Sequence, residues 1–413
     1  MTPATVSQPP SRLAQLAEGI PRSFWALLLG TFITKAGSFI MPLLFVYLTQ
    51  VRHLELPIAG AITALYGLGS LFGSLIGGIA ADRFGRRLTM LVSLVVGASF
   101  LLLISISQDL VFLGLATFFT ALTADAYRPA SQALVADVVP EQHRMKAFGM
   151  QYWAINLGFA IASVIGGYMA RRNFGVLFIA DAATTLALAV VIFLAVPESR
   201  PARPVEVASE PAKEGHALTP FFDRAYAPFL LLNFLVALLF FQHLSALPDD
   251  MLAKGLTTEE FGVAMSTNGV LIVLLQPLVL KWSERKPYAQ VLAIAAALTG
   301  VGFGLTALAT TLPLYALTVA VWTLGEILFA PVNATLVAKL SPTHLRGRYQ
   351  GAFTLTWSLA SMVAPLLSSS LLPVIGHRAL WLGCLAIGLG CAAAHLTWSA
   401  RLLGNAPSKS ATA

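Results

Sequence analysis

"ALTADAYRPASQALVADVVPEQHRMKAFG", residues 121–149, is repeated in outline by "TLGEILFAPVNATLVAKLSPTHLRGRYQG", residues 323–351. At a constant offset of 202, Leu122, Pro129, Leu134, Val135, Ala136, Pro140, Arg144 and Gly149 fall on Leu324, Pro331, Leu336, Val337, Ala338, Pro342, Arg346 and Gly351. Matches this dense, with both prolines in register, mark a duplicated chain rather than chance. Each copy opens inside an apolar run, so membrane helices are what has been duplicated.

Working outward from the repeat, the composition agrees. The chain has 413 residues, 57% hydrophobic and 11% charged, with more apolar surface than a soluble fold can bury. A helix needs about 20 apolar residues to cross the hydrocarbon. Runs of that kind lie near 23–49, 57–80, 88–107, 110–136, 147–170, 174–196, 226–247, 259–281, 289–309, 312–338, 349–372 and 378–400. The expected fold is an all-α integral membrane protein of twelve transmembrane helices in two six-helix repeats. Residues 1–196 form the first bundle and 223–413 the second. The Pro-, Glu- and Ala-rich stretch 197–222 reads as a cytoplasmic linker between them. Residues 1–21 lack an apolar core ahead of a small-residue cleavage site, so the first span reads as a retained anchor.

Lys and Arg are retained on the cytoplasmic side. With the N-terminus inside, 19 of the 26 Lys and Arg fall on cytoplasmic segments, 5 outside and 2, Lys35 and Arg128, within spans. Both termini are therefore expected in the cytoplasm of a cell whose plasma membrane, a bacterial inner membrane, holds the chain as a multi-pass monomer. The net charge of +7 needs no nucleic acid to explain it, since this asymmetry and an anionic inner leaflet suffice. Parallel repeats place a binding site near the midplane between the halves, reached alternately from each side.

"GGIAADRFGRR", residues 77–87, crowds charge onto one turn after an apolar run. It resembles the loop between the second and third helices of the major facilitator superfamily, at Gly78, Asp82, Arg83, Gly85, Arg86 and Arg87. At the repeat offset Asp82 and Arg83 fall on Glu284 and Arg285, a degraded second copy. "DVVPEQHR" (137–144), "QYWAINLG" (151–158) and "TLGEILFAP" (323–331) are similar to the LmrP type of multidrug/proton antiporter within that superfamily. The chain departs from that type at Ala162–Ser163, where a Gly-Pro is usual, and at Leu244, where an acidic residue is usual. The resemblance implies proton-driven secondary transport, by antiport, of hydrophobic or amphipathic small molecules, with proton motive force in place of any cofactor. A carrier dedicated to one metabolite, such as a sugar, siderophore, peptide or lipid, is the alternative.

The turn at 82–87 reads as a cytoplasmic gate latch, with Asp82 beside a helix N-terminus and charge-assisted contacts crossing between the halves, joined by Asp137 and Arg144. Ionisable groups deep in a bilayer are costly, so each is a candidate functional residue. Glu326 lies mid-span with no basic residue within seven positions, and suits a proton carrier. The resemblance implies the same role. Asp125 and Arg128 share a helix face and can pair, leaving Asp125 either a structural pair or a second proton carrier. Asp137, at the helix end, reads as gate before carrier.

Lys35 sits in a polar stripe with Thr31 and Ser38, and is expected either to pair with a carboxylate such as Asp125 or to meet an anionic part of the substrate. The same cavity is expected to be lined by Arg128, Asn333, Gln242, His243, Tyr127, Tyr152, Trp153 and Trp357, with Phe240 and Phe241. Asp181 reads as a snorkelling or helix-pairing group before a proton carrier. Gly69, Gly73 and Gly77 recur at the spacing that lets two membrane helices approach. Cys384 and Cys391 read as apolar filling. No Gly-x-Ser-x-Gly, HExxH or phosphate loop is present, the histidines are scattered, and neither a metal site, an enzyme nor an ATP-driven pump is expected.

Overall fold

In the computed structural model, residues 19–199, 219–283, 286–342 and 345–399 are described. The repeat-equivalent pair Glu284 and Arg285 lies outside them, as does most of the inter-half linker. The described chain is helical. In the first half come α1 (Arg22–Ala36), α2 (Ile40–Val46), α3 (Leu56–Phe84), α4 (Arg86–Ile106), α5 (Leu110–Val138), α6 (Glu141–Ala170) and α7 (Phe174–Ala195). In the second come α8 (Tyr226–Phe240), α9 (Ala246–Ala253), α10 (Thr258–Ser283), α11 (Tyr288–Leu305), α12 (Leu312–Leu340) and α13 (Arg346–Ala394).

Eleven helical stretches among the described residues are long and apolar enough to cross a membrane. Their ends match the sequence-derived spans within a few residues, except that the last two expected spans form one stretch, Arg348–Thr397. That stretch is interrupted at Gly376, whose φ of 72° and ψ of 165° are open to glycine but strained for other residues.

The first span of each half is broken, which the hydropathy profile conceals. α1 stops at Gly37, and α2 restarts at Ile40 with its amide donating to the Asp181 carboxylate at 3.2 Å. Asp181 thus answers the orphan N–H groups of a helix start inside the membrane, a more specific task than pairing two helices. α8 gives way to a 3-10 turn at Phe241–Leu244 before α9, close to the position equivalent to 37–39. Only buried backbone that finds such partners is tolerated at this depth.

Within the first half, Gly69, Gly73 and Gly77 of α3 lie against the backbone carbonyls of Phe118, Leu122 and Ala126 of α5, so the expected close approach is made along that glycine stripe. The halves meet along two seams. α3 packs on α13, with Gly60 against Ser369 and Gly67 against Met362, and α6 packs on α10, with Gly167 against Thr258 and Gly269 against Asn156. A Cβ on Gly67 would stand 2.5 Å from the Met362 amide nitrogen. Eleven residues on, three helical turns along nearly the same face, Gly78 has nothing within 4 Å, and the same holds for Gly149 and Gly351 near the starts of α6 and α13. The seams are therefore tight at the end remote from Gly85 and parted at the Gly85 end.

Candidate functional site

Between the halves lies a cavity of about 500 Å³. Its wall is chemically divided. Lys35, Asp125 and Arg128, the charged side chains upon it, come from the first half, with Ser70, Ser74 and Asn156 beside them. Trp322, Trp357, Phe240, Phe241 and His243 face them from the second half. The rings interlock, Phe240 standing edge-on to Trp322 at 5.5 Å and to Trp357 at 5.8 Å, while His243 stacks on Trp322. Such ring pairs form a rigid apolar surface.

Each polar group is held by identifiable neighbours. Asp125 accepts from Arg128 at 3.1 Å on one oxygen and from the Ser70 hydroxyl on the other, so the expected pair within α5 forms. Lys35 does not join it. No hydrogen bond or ion pair to the Lys35 side chain occurs among the described residues, and Asp125 is already engaged on both oxygens. The Lys35–Asp125 pair, one of the two expected alternatives, does not form. Lys35 stands in the last turn of α1, where the helix dipole favours a cation. Gly158 of α6 packs directly on its backbone, with a Cβ there only 2.6 Å from the Lys35 Cβ. Lys35 also borders a second, smaller cavity of about 110 Å³ inside the first half, together with Thr31, Tyr127 and Asp181.

Glu326 on α12 is screened from the main cavity by Asn268 of α10, whose amide donates to the carboxylate at 2.7 Å and to the Thr323 hydroxyl at 3.1 Å. Among the described residues it has no cationic partner. Asn268 itself reaches the cavity wall, and the carboxyl it donates to lies behind it.

Of the residues expected to line the cavity, Lys35, Arg128, His243, Trp357, Phe240 and Phe241 do. Five do not. Tyr127 lines the smaller cavity, and Asn333 is buried near α8 with its amide 3.5 Å from the Asn233 side chain. Gln242 turns back to the Leu238 carbonyl, and Trp153, which is exposed, and Tyr152 are both off the wall. For Gln242 the reason is helical phase: a break at Phe241–Leu244 rotates it away while its neighbour His243 stays.

Among the described residues the charged turn forms a network within the first half and the adjoining linker residues Glu198 and Ser199. Arg86, buried at the start of α4, donates to the Ala81 carbonyl, to Asp82 at 3.1 Å and to Asp137 at 3.1 Å, and Ser199 completes Asp137 at 2.8 Å. Asp82 is in the last turn of α3, not at a helix N-terminus; the anion that caps α4 is Glu198, which accepts from the Arg87 and Leu88 amides at 3.1 Å each. Arg83 lies over Phe84 and Arg87 over Phe193, while Arg144 donates to the Val139 carbonyl. Among the described residues no contact of this network crosses to the second half, as fits the parted Gly85 end.

Gly85 carries φ 102° and ψ 158°, and a Cβ there would meet the Glu198 carboxylate. Gly85→Ala is expected to lower stability by about 1–3 kcal/mol, read as a lower midpoint in thermal unfolding. Glu198→Ala in the same background should recover only the contact part of that loss.

A second cluster had no forecast from sequence. Asp250, fully buried, accepts from Tyr315 at 2.5 Å and from Lys254 at 3.0 Å, and Asp249 pairs with His377 at 2.9 Å, tying α9 to α12 and to the Gly376 bend. The signal was the consecutive acids Asp249 and Asp250 at the end of an apolar run, four residues before Lys254.

The family model for the Major Facilitator Superfamily matches residues 27–365 and 229–412. An uncharacterised transporter of that type, YttB of Bacillus subtilis, is 27% identical over 397 residues, covering 93% of this chain and 96% of its own. A Na(+), Li(+), K(+)/H(+) antiporter of Planococcus maritimus is 26% identical, covering 84% and 88%, and Multidrug resistance protein 1 of Bacillus subtilis is 25% identical, covering 91% and 95%. Among solved structures, a POT family transporter in complex with 5-aminolevulinic acid shares the fold, with a TM-score of 0.80 at 18% identity over 92% of this chain and 97% of that one. These relatives are membrane transporters rather than enzymes. Two helical halves enclosing one divided cavity, and a family match spanning nearly the whole chain, place it in the Major Facilitator Superfamily.

Proposed function

We propose that the chain is a proton-coupled secondary transporter, an antiporter that exports hydrophobic or amphipathic compounds by alternating access. The observation that carries this reading is the divided cavity with Glu326 behind it: an aromatic wall for an apolar body, and a carboxyl without a cationic partner that can take up or lose a proton. The named activities of the antiporter and multidrug-resistance relatives agree with it. The unpaired Lys35 favours a second reading, a carrier dedicated to one metabolite with an acidic group.

The bend at Gly376 supports counting the last 50-residue stretch as two spans, since an unbroken helix of that length would run about 75 Å, over twice the hydrocarbon thickness. That makes twelve, six on each side of the linker, with both termini and the Gly85 end in the cytoplasm of a bacterial inner-membrane protein. On this orientation the chain stands open inward. The Asp82–Arg86–Asp137 network with Arg83, Arg87 and Arg144 then waits to engage the second half when that end closes.

Purified protein in liposomes with a pH-sensitive dye inside tests the reading. Adding lipophilic cations, neutral drugs and anionic amphiphiles across an imposed proton gradient should give substrate-dependent proton movement opposite in direction to the compound. Silence across the whole panel would sink multidrug antiport and leave the dedicated carrier.

A further inference from the structure

The charge on the cavity wall is unbalanced. Lys35 and Arg128 are the basic side chains, Asp125 is the acidic one among them, and both Asp125 oxygens are already taken by Arg128 and Ser70. Arg128 gives one N–H to Asp125, and its side chain remains 66% exposed to the cavity with its other donors free for a ligand. Among the described residues Lys35 forms no ion pair with Asp125 or Asp181. Asp181 is committed to the start of α2 through the Ile40 amide. Glu326 stays behind Asn268, on the other half. An ammonium fixed by a helix end and by Gly158, beside a half-used guanidinium, lacks one anion to complete it.

We propose that this anion belongs to the transported molecule: the cavity takes an amphipathic organic acid, its carboxylate set between Lys35 and Arg128 and its apolar body laid on Trp357, Phe240 and Phe241. The proposal rests on the cavity being the transport site. It narrows the substrate class, because a lipophilic cation placed there would meet the Lys35 charge and would have to displace Arg128 from Asp125. Head group and body are gripped by different halves, so a bound acid ties together the two bodies that move. Proton binding at Glu326 takes place on the second half alone and need not touch the head group.

Three probes with one ring system separate charge from shape: 2-naphthaleneacetate, its neutral amide, and 2-naphthylmethylammonium. Their binding to the purified full-length protein is read by calorimetry. The acid is expected to bind about 10- to 100-fold more tightly than the amide, the worth of a charge-assisted contact, and the ammonium more weakly than either. Lys35→Gln should bring the acid down to the level of the amide without moving the amide. Lys35→Arg should keep most of the preference, and an unchanged thermal midpoint shows that each variant is folded. An ammonium that binds as tightly as the acid, or an acid-to-amide ratio untouched by Lys35→Gln, overturns the acid preference while leaving proton-coupled transport to its own assay. If none of the three binds, the cavity is not the site for aromatic acids and the inference fails with it.

Discussion

Glu326→Gln is expected to reduce substrate-driven proton movement by about two orders of magnitude, the usual worth of a positioned proton-transferring side chain, while substrate still binds. The substitution keeps an oxygen that can accept from Asn268, so the polar link from α12 to α10 survives and a loss cannot be attributed to unfolding. What it removes is the ability to change charge. A carboxylate behind an apolar and aromatic layer is stabilised by one amide donor and no cation, so whether it holds a proton depends on how wet that layer is, and rocking the halves changes the wetting. In the wild type, transport should follow the proton gradient. In the mutant, downhill exchange of substrate should persist with no dependence on pH across the range where the wild type responds. Undiminished proton movement in Glu326→Gln would move the carrier role to Asp125, and Asp125→Asn would then abolish it.

The parts of the fold that rest on solvent preference were legible in the sequence, because the bilayer sets one length and one polarity for every span. Span ends from Leu56 to Phe84 or Tyr288 to Leu308 needed no tertiary information. The paired prolines Pro129 and Pro331 carried the duplication. What the sequence hid is what depends on angle rather than length. Breaks at Gly37 and Ser245 leave mean hydropathy unchanged, yet they decide that Lys35 ends a helix and that His243, not Gln242, faces the cavity. The charged residues stood out because charge in lipid is rare; their partners did not. Ser70 and Asn268, which hold Asp125 and Glu326, are unremarkable in composition and are found only once α3 and α10 are packed. Asp82 reads as a helix-start anion only if the turn is taken to begin after it, whereas Gly85 is where α3 ends and α4 starts.

Gly67→Val and Gly78→Val should push one conformational equilibrium in opposite directions. Both residues lie on the face of α3 turned to α13, three helical turns apart. At Gly67 the opposing atoms are backbone, with the Met362 amide 2.5 Å and its Cα 2.7 Å from where a Cβ would stand, and backbone cannot rotate aside. Overpacking of this kind costs about 1–3 kcal/mol, and the protein can avoid the cost by opening that seam. A shift of that size changes a two-state ratio by about 5- to 150-fold. At Gly78 the space is empty in this conformation, so valine costs nothing here and is felt only when the Gly85 end closes. A cysteine placed at Ser369, buried on the same seam as Gly67, reports the difference, since the native Cys384 and Cys391 are themselves buried. Its reaction with a maleimide should speed up at least about fivefold in Gly67→Val and slow in Gly78→Val. Transport should fall in both, because alternating access needs each end to close in turn. Equal protection of Ser369→Cys in the two variants, with transport intact, would mean that the α3–α13 seam does not part in the cycle and that the halves rock about some other contact.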